Sequence, residues 1–362
     1  MSQQSSNSPI RVLIVDDSAF MRTAISRMIA SDPNISIVGT AGSGIEALQK
    51  IPSLNPDVIT LDVQMPGFDG LQTLSRIMAE FPRPVIMVSS LTLKEAETTF
   101  TALAAGAFDY VPKELSSTSL DILHLQNDLI AKIKAAAESG LRRDAVMVPR
   151  KPARAASTPT RDASLSAPAI VAIGVSTGGP KALQEILPLL PADLMVPILV
   201  VQHMPAGFTE PFAKRLDSLC AVAVCEAKHG EIIQPGVVYI APAGTHLTVE
   251  RSSSRTALCL SDKPRNQLHV PSVDVMMHSV ASAFRSLAMG IIMTGMGSDG
   301  AQGMKAIHRE GGFTVGQDEP SCTVYGMPRA CAELGIVDRV VPLSEIPREI
   351  LHAMHYRRAS VS

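Results

Sequence analysis

The sequence predicts an α/β protein built from two doubly wound parallel-sheet domains joined by a flexible linker. Three observations predict it. Short apolar runs alternate with amphipathic stretches over residues 11–139. A second alternation begins at Ala169. Between them lies a stretch rich in Arg, Ala, Ser, Thr and Pro with no apolar period. Near-continuous apolar strands separated by helices are the mark of a parallel sheet covered on both faces.

In the first half the strand-like runs are Val12-Leu13-Ile14-Val15, Ile35-Ser36-Ile37-Val38, Val58-Ile59-Thr60-Leu61, Val85-Ile86-Met87-Val88 and Tyr110-Val111. Residues 21–30, 45–51, 71–81, 94–105 and 119–138 carry apolar residues at three- and four-residue spacing and read as helices. The linker, residues 139–168, holds Arg142, Arg143, Arg150, Lys151, Arg154 and Arg161 and reads as a mobile, solvated tether. Beyond it, strands are expected at Ala169-Ile170-Val171-Ala172-Ile173, Ile198-Leu199-Val200-Val201, Val237-Val238-Tyr239-Ile240 and Gly290-Ile291-Ile292-Met293. Helices are expected over 181–190, 210–219, 273–284 and 303–310, with a hairpin insertion within 221–262. The domains are thus expected at 10–138 and 169–358.

Composition narrows the class. An apolar content of 46% suits a packed protein, and a net charge of −2 gives no basic field for nucleic acid. The polar first residues and the shortness of every apolar run argue against a secretory signal or direct membrane insertion, so the cytoplasm is expected. Five cysteines without a CxxC pair read as incidental thiols of a reducing compartment.

Chemistry gathers at strand ends. Asp16 and Asp17 end the first strand, Asp62 ends the third, and Lys113 follows the fifth. In a doubly wound sheet these ends share one rim. Crowded carboxylates repel, and Mg²⁺ relieves that repulsion. An aspartate oxygen there is placed to attack a phosphoryl group, with Lys113 and the Ser89 hydroxyl as phosphoryl partners. Individually each residue has a plainer reading: Asp16 or Asp17 as a helix cap, Asp62 in the turn before Pro66-Gly67, Lys113 as a surface lysine. The segments Val15-Asp16-Asp17-Ser18, Leu61-Asp62-Val63-Gln64-Met65-Pro66, Val88-Ser89-Ser90 and Tyr110-Val111-Pro112-Lys113 together resemble the signature of two-component receiver domains. That resemblance implies a flavodoxin-like fold, Asp62 as phosphoacceptor and a histidine kinase as phosphodonor. It also implies Mg²⁺ held by Asp16, Asp17, Asp62 and the Gln64 carbonyl, Ser89 and Tyr110 as switch pair, and Lys113 as phosphate partner.

The second half offers a nucleophile. Gly174-Val175-Ser176-Thr177-Gly178 lies where a strand gives way to a helix opened by Gly179-Pro180. Small residues permit a sharp turn that lifts the serine oxygen clear of the sheet, beside the free N–H groups of the helix start. The plainer reading is a glycine-rich loop before a helix, with phosphate binding as one use of it. A serine needs a base. His203 ends a strong apolar strand, and His246 is a rival. Asp299, expected at a strand end, would orient the imidazole, with Asp274 as rival; either aspartate could instead cap a helix. The order Ser…His…Asp differs from that of α/β-hydrolases, and the glycines lack dinucleotide-binding spacing.

The segments 174–180, 201–205 and 294–300, with Pro271-Ser272-Val273-Asp274-Val275 and Ala241-Pro242-Ala243-Gly244-Thr245-His246-Leu247, resemble the chemotaxis protein-glutamate methylesterases, the CheB family. One departure is Ser298, where many members carry asparagine. The resemblance implies a Rossmann-like methylesterase domain, a Ser176–His203–Asp299 triad and an oxyanion hole involving the Met296 backbone. It further implies hydrolysis of glutamyl methyl esters and deamidation of glutamines on a methyl-accepting chemoreceptor, with no cofactor for ester hydrolysis, under control of the phosphorylated receiver. A DNA-binding regulator is disfavoured, because the second half is too long and strand-rich for a helix-turn-helix unit. A phosphorylation-dependent scaffold without catalysis stays open.

Overall fold

The computed structural model describes residues 8–90, 92–113, 119–146, 167–252 and 255–359. The chain divides into two compact units, Met1–Ala153 and Arg154–Ser362.

The first unit runs β1 (Ile10–Val15), α1 (Ala19–Ile29), β2 (Ile35–Ala41), α2 (Gly44–Leu54), β3 (Val58–Asp62), α3 (Gly70–Glu80), β4 (Val85–Ser89), α4 (Leu93–Ala104), β5 (Asp109–Pro112) and α5 (Ser119–Val146). Its sheet has the order β2-β1-β3-β4-β5, and every pair is parallel. All of β3 and β4 is buried, which is why these strands read as continuous apolar runs. Side chains fix the helix starts. Ser18, Ser43, Asp69 and Thr92 each accept a backbone N–H from the first turn, and Asp69 with Gln72 closes a reciprocal capping box. Helix α5 continues to Val146, past the expected end at Glu138. Its added residues, Ser139-Gly140-Leu141-Arg142-Arg143-Asp144-Ala145-Val146, include several good helix formers. The expected tether therefore begins in a helix; its residues 147–166 lie outside the described residues.

The second unit runs β6 (Ile170–Val175), α6 (Gly179–Ile186), β7 (Ile198–Gln202), α7 (Thr209–Asp217), β8 (Ala223–Glu226), β9 (Val237–Ile240), β10 (His246–Arg251), β11 (Thr256–Ser261), α8 (Val273–Phe284), β12 (Ala288–Ile292), α9 (Ala301–Arg309), β13 (Phe313–Gln317), α10 (Met327–Glu333), β14 (Arg339–Val341) and α11 (Ile346–Ala359). The main sheet, β14-β13-β12-β6-β7-β9-β8, is parallel throughout. The expected insertion is the antiparallel hairpin β10–β11. Its Leu247, Val249 and Leu258 join Val273, Met276, Met277 and Val280 of α8 in one buried cluster with Ile170, Leu199 and Ile292 of the sheet. The strand order reverses at β6: β7 follows on one side and β12 on the other. Such a reversal opens a crevice at the carboxyl ends of the strands, where the loops diverge.

All five cysteines are free thiols. Burial pushes Cys220 and Cys225 up to about 11 and Cys331 up to about 12, so these sulfurs are protonated and inert at neutral pH. Among the described residues no helix is long and apolar enough to cross a membrane.

Candidate functional site

The loops after β6, β7 and β12 meet at the reversal point. Val175 pairs with Gln202 across β6 and β7, and the His203 N–H donates to the Val175 carbonyl at 3.2 Å. Ser176 and His203 are therefore successors of paired residues on adjacent parallel strands. On the other side the Ser176 N–H donates to Thr294 O at 3.0 Å, extending the β6–β12 ladder past the end of β12. Gly178 then turns the chain with φ +78°, and a Cβ there would lie 2.4 Å from Thr323 Cβ, so only glycine fits.

Asp299 does not end a strand, as the sequence suggested. It lies beyond the end of β12, in the turn before α9. It returns to the crevice because the start of α8 captures its carboxylate. Oδ1 accepts from Ser272 Oγ at 2.9 Å and from the Asp274 N–H at 3.0 Å; Oδ2 accepts from the Val273 N–H at 2.8 Å. The positive end of a helix thus faces the carboxylate. His203 Nε2 approaches Oδ2 at 2.8 Å. Burial alone would raise the Asp299 carboxyl, but the His203 hydrogen bond and these backbone donors outweigh it. The group stays well below the usual carboxylate range.

An ionised carboxylate only accepts, so Nε2 of the neutral imidazole carries the proton and Nδ1 keeps the lone pair. Nδ1 is buried and has no hydrogen-bond partner among the described residues. No hydrogen bond joins it to Ser176 Oγ at rest. Catalytic hydrogen bonds are often loose without substrate.

The rivals have other work. His246 is fully buried, and both ring nitrogens are engaged, Nε2 with Pro264 O and Nδ1 with the Ser272 N–H, each at 3.1 Å. Asp274 accepts the Gly303 N–H at 2.7 Å and ties α8 to α9. Supporting residues that sequence reasoning missed include Ser272, Thr294 and Gln202. Thr294 Oγ1 donates to Thr177 O at 2.9 Å and accepts from the Val324 N–H at 3.0 Å. Gln202 Nε2 donates to both Ser176 O and His203 O, at 3.0 and 2.9 Å, clamping the two loops together. Their signal was burial of polar side chains, which a sequence does not display.

Met296, expected at the oxyanion hole, follows Gly295, which packs directly on Ser176. A Cβ at Gly295 would lie 2.8 Å from Ser176 Cβ and 3.1 Å from Ser176 N. Among the described residues the Met296 N–H donates to no backbone acceptor.

In the first unit, Asp16, Asp17 and Asp62 bring carboxylate oxygens within 4.8 Å of one another. Asp16 and Asp62 are fully buried, and Lys113 Nζ lies 3.3 and 2.6 Å from their Oδ2 atoms. Burial pushes the Asp62 carboxyl up to about 6, opposed by Lys113 and reinforced by the charge of Asp16. Apart from these Lys113 ion pairs, Oδ2 of Asp16 and of Asp62 have no partner among the described residues. An all-oxygen, acidic set whose oxygens cluster this closely fits a hard divalent cation. The Gln64 N–H donates to Asp62 Oδ1 at 3.0 Å, which brings the backbone of Gln64 to the same carboxylate. The cap of α1 is Ser18, not an aspartate; Asp16 Oδ1 accepts the Ser18 N–H at 2.9 Å. Ser89 is fully buried, its Oγ 2.8 Å from Thr99 Oγ1. Tyr110 is buried, its ring nearly perpendicular to that of Phe100 with centroids 6.5 Å apart.

Comparison with known proteins agrees with both halves. Residues 12–123 match the response regulator receiver domain, and residues 171–350 match the CheB methylesterase family. A protein-glutamate methylesterase/protein-glutamine glutaminase of Oleidesulfovibrio alaskensis is 45% identical, covering 96% of this chain and 100% of that protein. One from Pyrococcus abyssi is 44% identical over 96% of this chain and 95% of its own length. The CheB methylesterase catalytic domain of Thermotoga maritima aligns with TM-score 0.50 and 39% identity, covering 52% of this chain and 99% of that structure.

Proposed function

This chain belongs to the protein-glutamate methylesterase/protein-glutamine glutaminase family, and from that premise we propose how its residues perform the reaction. It is a phosphorylation-regulated hydrolase of glutamate γ-methyl esters and glutamine side-chain amides. The proposed nucleophile is Ser176, the base is His203, and Asp299 orients the imidazole. The observation that carries this is the His203 Nε2–Asp299 Oδ2 pair, 2.8 Å, on the strand edge next to Ser176.

Asp299 holds the proton on Nε2, so Nδ1 is the atom that accepts the serine proton. Ser176 Oγ attacks the γ-carbonyl carbon, and the Met296 N–H bonds the oxyanion. As the intermediate collapses, the carbon–oxygen bond to the methoxy group breaks and His203 returns the proton, releasing methanol. Water then attacks the acyl-enzyme, His203 takes its proton, and Ser176 leaves protonated with a glutamate carboxylate as product. From an amide the leaving group is ammonia. The substrate is proposed to be a methyl-accepting chemoreceptor, met in the cytoplasm.

For control, residues 10–138 are proposed as the phosphoacceptor module, 169–358 as the hydrolase and 139–168 as the connector. Asp62 takes the phosphoryl group from a histidine kinase. Asp16, Asp17, Asp62 and the Gln64 carbonyl would hold Mg²⁺, which when bound offsets the negative charge gathered at the acceptor. Lys113 neutralises a phosphoryl oxygen, and Ser89 and Tyr110 respond to it as the switch pair.

A serine-directed phosphonate tests the nucleophile assignment. Stoichiometric label on the peptide bearing Ser176, slowed by His203→Gln, is expected. Label on another serine, or an unchanged rate in His203→Gln, contradicts the assignment.

A further inference from the structure

A single hydrogen bond fixes a point on a ring, not its plane. His203 is anchored through Nε2 to Asp299, while Nδ1 has no partner at rest among the described residues. Rotation about the Nε2 contact would carry Nδ1 away from the serine, so something else must hold the plane. The His269 ring stacks on His203, with centroids 4.0 Å apart and planes at 17°.

His269 lies in the irregular segment between β11 and α8. Such a segment has no ladder to hold it, yet it is bolted in place at three points. Buried His246 bonds Pro264 O through Nε2 and the Ser272 N–H through Nδ1, and the Gly244 N–H donates to Val270 O at 3.1 Å. The same stretch ends in Ser272, whose hydroxyl bonds Asp299. One pinned segment therefore delivers the ring that lies on the face of His203 and a hydrogen bond that fixes its carboxylate partner. Its neighbour Leu268 is 80% exposed, whereas His269 turns inward and is half-buried.

We propose that His269 is a positioning residue for the general base: it holds the imidazole plane of His203 by stacking, with His246 as the clamp that places it. His269 takes no proton in the reaction. What it supplies is a flat surface, so an aromatic ring of similar size replaces it and an aliphatic side chain does not. The proposal rests on His203 being the base, and it deepens that reading by naming what orients it.

The test compares His269→Ala and His269→Phe in the full-length protein on methylated receptor. The alanine variant is expected to lose on the order of 10- to 100-fold in kcat with KM changed less than about two-fold, the cost of a misplaced reactive group. The phenylalanine variant is expected to recover most of that loss. In a Ser176→Ala background, the ring signals of His203 in NMR spectra should broaden or split in His269→Ala and stay single in His269→Phe. An alanine variant with unchanged kcat overturns the proposal. So does a phenylalanine variant as slow as alanine whose His203 signals match the parent. The NMR arm reads ring orientation without turnover. An inactive His203→Gln thus supports the base assignment on its own, and failure of the stacking proposal remains separable from failure of that assignment.

Discussion

Two aspartates are held in opposite ways. Asp299 has a helix start, a hydroxyl and an imidazole around it, and its carboxyl is lowered. Asp62 has one lysine against burial and a second carboxylate, and its carboxyl is pushed up to about 6. The first arrangement suits a fixed charge that orients a ring; the second suits an acceptor whose charge awaits a cation. A raised folded-state value means that the folded form holds its proton more tightly than the unfolded one. That contribution to stability is present below about pH 4 and is lost as pH rises through about 6. In metal-free buffer, Asp62→Asn should therefore raise the melting temperature at pH 8 by more than at pH 4. Denaturation followed at both values checks this, and an equal shift at both would contradict the crowding.

At the scale of elements, the loops after three neighbouring strands (β12, β6 and β7) carry the proposed triad. Close approach between their loops is the price of that convergence, and Gly295 is where it is tightest. Met327 Sδ would lie 2.2 Å from a Cβ at 295 and can swing aside, but the backbone of Ser176 cannot. Gly295→Ala should displace the nucleophile and lower kcat on the order of 100-fold while the protein stays folded. Kinetics alongside circular dichroism reads both. Elements with strong periodicity were legible beforehand: α8 was expected at 273–284 and is found at Val273–Phe284. Others carried no such signal. β14 is three largely exposed residues, and α10 is a seven-residue helix. Too short to show a period, they are set by packing against β13 and α9. Ser176 and His203 were legible because each follows a strand. Asp299 was legible only as a motif: its placement depends on a capture by α8 that no local pattern encodes. His269 left no sequence signal, since stacking joins residues far apart in the chain.

For the whole molecule, a phosphoacceptor unit and a hydrolase unit share one chain. On the proposed assignment, phosphate on Asp62 would add up to two negative charges beside Lys113 and act on Ser89, now bonded to Thr99, and on the buried Tyr110. Activation requires that phosphorylation favour one state of the chain over another. A small phosphodonor in Mg²⁺ should raise ester hydrolysis by the full-length protein, and Asp62→Ala should abolish that response. A response of equal size in Asp62→Ala would assign the acceptor elsewhere. The most direct measurement is methanol release from methylated receptor by wild type and Ser176→Ala. Loss of a triad nucleophile typically costs on the order of 10⁶ in kcat, so the variant should release no methanol above background. Release at a rate near that of the wild type would contradict a serine-based mechanism at the edge of the second sheet.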